Sequence, residues 1–117
     1  MRTIPLFLIL LAMPPLSGCY YNNEEELYPN SFCETTNVTF NATIVPLVQS
    51  RCAIPDCHVT GYQTPYLSQA AEVLAIANNG DLRTFVVVNK TMPPAGALPT
   101  CDRTKIQSWL NAGAPEN

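Results

Sequence analysis

Apolar positions along the chain form one short leading block and then several spaced clusters. Ile4 to Leu11 is an unbroken apolar run, and Tyr20 to Ser31 is polar and acidic with neither a helical nor a strand period, the pattern of a flexible tether. Helical spacing begins near residue 43. Within 43–51, Ile44, Leu47 and Val48 stand at i, i+3 and i+4, which predicts a short helix ending near Cys52, with Pro46 tolerable only in its first turn. Within 68–78, Ser68 is a candidate cap, Ala70, Val73, Leu74 and Ala77 share a face, and Asn78-Asn79-Gly80 is a stop signal. The run Phe85-Val86-Val87-Val88 is ambiguous, because β-branching argues for a strand and the length decides nothing. The reading leans to a short helix or an extended segment. A last helix is predicted from Thr100, a candidate cap, with Asp102 complementing the dipole and Ile106, Trp109 and Leu110 on one face; Gly113 and Pro115 end it. Trp109 is thereby a core residue first.

Helices separated by Pro- and Gly-rich loops, without an alternating hairpin pattern, predict an all-α domain of three to four short helices over residues 33–117. At about 85 residues a single core is marginal, and small exported domains commonly add disulfides or a cofactor.

The leading block is too short to cross a bilayer, which takes roughly 20 apolar residues. With Arg2 before it and Leu16-Ser17-Gly18-Cys19 after it, residues 1–18 read as a secretory signal peptide. The tetrapeptide resembles the lipobox of bacterial lipoproteins, which implies that Cys19 is lipidated and becomes the mature N-terminus. Residues 19–32 are then an acidic tether. This predicts an exported protein, lipid-anchored at the bacterial outer membrane and either periplasmic or surface-exposed. Acidic residues soon after the anchor also resemble the export signals of surface lipoproteins in the Bacteroidetes group. The whole chain has six basic and nine acidic residues, a formal charge of −3, and loss of Arg2 makes it one unit more negative. No basic stripe suggests nucleic acid, and a charge this small is ordinarily a solvated face.

Four thiols remain beyond Cys19: Cys33, Cys52, Cys57 and Cys101. Residues 52–58 read Cys-Ala-Ile-Pro-Asp-Cys-His, a C-x4-C-H related to the C-x2-C-H of haem c attachment. In that chemistry two thiols add to the porphyrin vinyl groups and the adjacent histidine ligates iron. Two extra residues at about 100° each turn the cysteines roughly 200° relative to a helical C-x2-C, so the loop must bulge. Pro55 favours a non-helical path there. Further on, Thr91-Met92-Pro93-Pro94-Ala95-Gly96 places a methionine on a stiff loop that cannot be helical. His58 is the only histidine in the chain, and Met92 the only methionine outside the signal peptide.

Ile44-Val45-Pro46-Leu47, then Cys52, Cys57-His58, Met92-Pro93-Pro94, and finally Trp109 with Leu110-Asn111-Ala112-Gly113-Ala114-Pro115, together resemble the small cytochrome c domains of Bacteroidetes and related bacteria. The resemblance covers about residues 33–117. It implies one covalently attached haem c on Cys52 and Cys57, His58 and Met92 as axial iron ligands, and Trp109 packed near the haem. Cys33 and Cys101 resemble a disulfide pair also seen in this group, and they are the thiols left once haem takes the other two. With both axial positions filled, the implied function is electron transfer with redox partner proteins and not catalysis. The alternative is a haem-free, disulfide-stapled binding or structural lipoprotein, with Cys52 and Cys57 closed as a short disulfide. Zinc on Cys52, Cys57 and His58 competes on ligand type, although adjacent Cys-His strains a tetrahedron. Blue copper lacks its second histidine, and His58 is poorly placed for a hydrolase.

Overall fold

Proline lacks an N–H, so a helix accepts it without loss only in the first turn, and Pro46 sits there in α1, Val45–Cys52. The computed structural model describes residues 33–117; the expected signal peptide, Cys19 and the tether lie outside the described residues. α1 is preceded by a π-helical segment, Phe40–Ile44, which the apolar pattern did not announce. Phe40, Ile44 and Val48 are all buried and form one continuous stripe across the junction. The first N–H groups of this segment are satisfied from the far end of the sequence: Phe40 N–H donates to Asn117 Oδ1 at 3.0 Å and Asn41 N–H to the Asn117 backbone oxygen at 3.0 Å.

α2 spans Ala70–Asn78 and buries Val73 and Ala77, the face expected of it. Its cap is Gln69 and makes no side-chain bond, so Ser68 does not act as expected. Ser68 instead ties down the preceding loop, its carbonyl accepting from Gln49 Nε2 at 2.8 Å and its hydroxyl pairing with Thr60 Oγ1 at 3.3 Å. The chain leaves α2 through Gly80 at φ +92°, a left-handed conformation that glycine adopts without steric cost.

The ambiguous run is helical. Leu82–Val88 forms a second π-helical segment, with Leu82 and Val86 buried four residues apart. That spacing, and not alternation, is what one-sided burial of a helix requires. α3, Thr100–Asn111, follows Pro99, so Thr100 opens the helix instead of capping it. Asp102 lies in the first turn and also pairs with Arg51 at 3.0 Å, joining the end of α1 to the start of α3. Ile106 and Trp109 are buried. The Trp109 ring stacks on Phe40 with centroids 5.6 Å apart, and its Nε1–H donates to the Pro115 carbonyl at 3.0 Å. A Cys33–Cys101 disulfide, Cα atoms 5.5 Å apart, fastens residue 33 to the first turn of α3.

The described residues are thus helical, with three α-helices, two π-helical segments and no strand among them. No helix of the described residues is long and apolar enough to cross a membrane.

Candidate functional site

Cys52 is the last residue of α1, and the chain departs from helical geometry immediately after it, with Ala53 at φ −88°, ψ 50°. The detour closes on itself. Cys57 N–H donates to the Ile54 carbonyl at 3.0 Å and His58 N–H returns to the Cys52 carbonyl at 3.1 Å, with Asp56 in the left-handed region at φ 66°. A non-helical excursion of this kind takes up the extra rotation of a C-x4-C spacing and brings residue 58 back beside residue 52.

The next stretch is fastened to His58 at two points. Leu67 N–H donates to the His58 carbonyl at 2.9 Å, and His58 Nδ1 lies 3.1 Å from the Pro65 carbonyl oxygen. A carbonyl can only accept, so Nδ1 carries a proton, and in the neutral ring the lone pair is on Nε2. Leu67 is buried and anchors this loop to the core.

The second wall begins in the π-helical segment. The Phe85 carbonyl accepts from both Thr91 N–H at 2.9 Å and Met92 N–H at 3.2 Å, which sets the start of the Met-Pro-Pro loop. Gly96 N–H then closes a turn onto the Pro93 carbonyl at 3.2 Å. Met92 is partly buried against the core.

These two walls enclose a cavity of about 270 Å³ lined by Cys52, Cys57, His58 and Met92 together with Pro93 and Pro94. Leu67, Ile76, Leu82, Phe85 and Val86 add to its apolar surface. Four of the five expected cofactor-binding residues therefore meet in one place. Trp109 does not line this cavity; it sits in the core against Phe40.

Cys52 and Cys57 are free thiols, whereas Cys33 and Cys101 are bonded. The thiol of Cys52 is pushed up to about 11, first by burial, which disfavours the thiolate, and then by the neighbouring Cys57. The charged side chains in the wall are Arg51 and Asp81, and both are engaged: Arg51 with Asp102, and Asp81 with Asn79 Nδ2 at 2.9 Å. Among the described residues no group of three or more His, Cys, Asp or Glu is arranged to hold a metal ion.

Arg51, Asp81, Phe85 and the Pro65 carbonyl were not reached by reading the sequence. Phe85 carried the one usable signal, an aromatic residue inside an otherwise β-branched run.

No protein-family model matches this chain, and neither a curated protein nor a solved structure shows significant similarity to it.

Proposed function

We propose that this chain is a haem c-binding electron-transfer lipoprotein, with one haem attached through Cys52 and Cys57 and held axially by His58 and Met92. One observation carries the reading: a single cavity is lined by two free thiols, the only histidine, and the only methionine outside the leading segment. The donor set fits the group. Two reduced thiols match two vinyl carbons, a histidine with Nδ1–H committed to a carbonyl leaves Nε2 for iron, and a neutral thioether suits the second axial position.

The walls suit a largely apolar macrocycle, but the cavity, about 270 Å³, is just below the range of ligand clefts, roughly 300 Å³ and upward. Either the two walls part on attachment or an edge of the group remains in solvent. When bound, the haem supplies one-electron chemistry, and His/Met ligation raises its potential. If His58 and Met92 both held the iron, no position on it would be left for a substrate, which favours electron transfer with redox partner proteins over catalysis. On this reading the fold is a small cytochrome c-like domain, Cys19 carries the lipid anchor at the outer membrane, and residues 19–32 are the tether.

The test is expression with a c-type maturation system followed by an absorption spectrum and acid-acetone treatment. The expected result is a Soret band that stays with the polypeptide. A colourless protein with Cys52 bonded to Cys57 would instead support a haem-free, disulfide-stapled binding or structural lipoprotein.

A further inference from the structure

Among the described residues four large hydrophobic side chains are exposed, Ile54, Tyr62, Phe85 and Val88, and of these Phe85 alone lines the cavity. It is 44% exposed while forming part of the wall, which places this residue at the mouth, between the cavity and water. Its backbone is fixed on both sides. Leu82 and Val86, three residues before and one after, are buried, and its own carbonyl holds the N–H groups of Thr91 and Met92. Phe85 also lies in a π-helical segment, a geometry concentrated at functional sites.

We infer that Phe85 is a lid residue that shields the Met92 side of the bound group from water and so sets its potential and the persistence of its Met ligand. This rests on the haem reading above. Oxidised haem carries one more positive charge than reduced haem, and water stabilises the more highly charged state. Covering the mouth with an aromatic ring therefore favours the reduced form. The same ring obstructs small ligands that would compete with the Met92 sulfur.

The test compares wild type, Phe85→Ala and Phe85→Leu as matured, full-length proteins, by redox titration and by titration with imidazole monitored at the far-red sulfur-to-iron band. Phe85→Ala is expected to lower the potential and to let imidazole displace Met92 at severalfold lower concentration; Phe85→Leu should stay near wild type in both. Thermal unfolding of all three checks that the fold persists. If the loaded Phe85→Ala protein keeps the wild-type potential and imidazole response, the lid role is overturned while the haem reading stands. Loss of the far-red band in both variants equally overturns it, since the ring would then be placing Met92 and not covering it. A wild-type protein that takes up no haem overturns the parent reading, and this one with it.

Discussion

His58 Nδ1 and the carbonyl oxygen of Pro65 lie 3.1 Å apart, a contact that decides which nitrogen of the neutral ring keeps its lone pair. Because the carbonyl offers only lone pairs, the neutral ring is held as the Nδ1–H tautomer. Long-range proton-nitrogen correlation spectra of the metal-free protein, taken with the ring neutral, should show a protonated Nδ1 and a pyridine-like Nε2. The opposite pattern would mean that Pro65 does not orient this ring.

Met92→Ala should leave haem attached through the thiols while abolishing the far-red sulfur-to-iron band and lowering the potential. No second histidine exists, and the lysines, Lys90 and Lys105, would have to lose a proton first, whereas a thioether is neutral. A variant with an unchanged spectrum and potential would place another group on iron.

The Cys33–Cys101 bond closes a long stretch of chain, at a sequence separation of 68. In the chain-entropy account such a loop contributes up to about 4 kcal/mol by restricting the unfolded state. The double variant Cys33→Ser, Cys101→Ser should therefore unfold at markedly lower urea concentration. A midpoint that does not move would mean that the unfolded chain is already restricted there.

Cys52 should be a slow thiol. Its acid strength is shifted from 9.0 to about 11 by burial and by Cys57, so at a given pH below this range it carries about a hundredfold less thiolate than an unshifted thiol. Iodoacetamide alkylation of the haem-free, reduced protein near neutral pH, followed by peptide mapping, should show Cys52 modified far more slowly than a cysteine in an unstructured peptide. The sign of the linked stability follows. The folded state holds this proton more tightly, so stability present below pH 9 is lost as pH rises from 9.0 towards about 11. Urea midpoints that rise across that window would contradict the burial.

Trp109→Phe isolates the role of the indole. The ring can still stack on Phe40, but the donor to the Pro115 carbonyl is gone; Pro115 is exposed, so water can replace the donor and the hydrogen bond itself accounts for about 0.5–1.5 kcal/mol. Unfolding should come earlier with the haem spectrum unchanged, because Trp109 does not line the cavity. A shifted Soret band in this variant would restore the contact with haem that the sequence resemblance implies.

The residues with rare chemistry were the easiest to find in advance. Cys52, Cys57, His58 and Met92 stand out by type and count, and the faces of α1, α2 and α3 stand out by a 3.6-residue period that burial enforces. What escaped notice depends on tertiary placement. Asn117 satisfies the start of the first π-helical segment across most of the chain, and no local pattern encodes such a partner. Ser68 and Thr100 have the chemistry of caps, but one helix starts after Ser68, with Gln69 as its cap, and the other starts at Thr100 itself, with Pro99 as its cap. The Pro65 contact is made by a backbone carbonyl, which every residue possesses, so side-chain identity could not mark it. The run 86–88 is β-branched yet helical because Leu82 and Val86 are buried together, and packing of this kind overrides propensity.

The most direct test of the haem reading is the intact mass of the exported protein after c-type maturation, combined with a peptide map of residues 52–58. The account predicts a polypeptide heavier by one haem, with that mass on the peptide holding Cys52 and Cys57 and both thiols inaccessible to alkylation. A polypeptide of unmodified mass at this peptide, with the two cysteines free or bonded to each other, would contradict it.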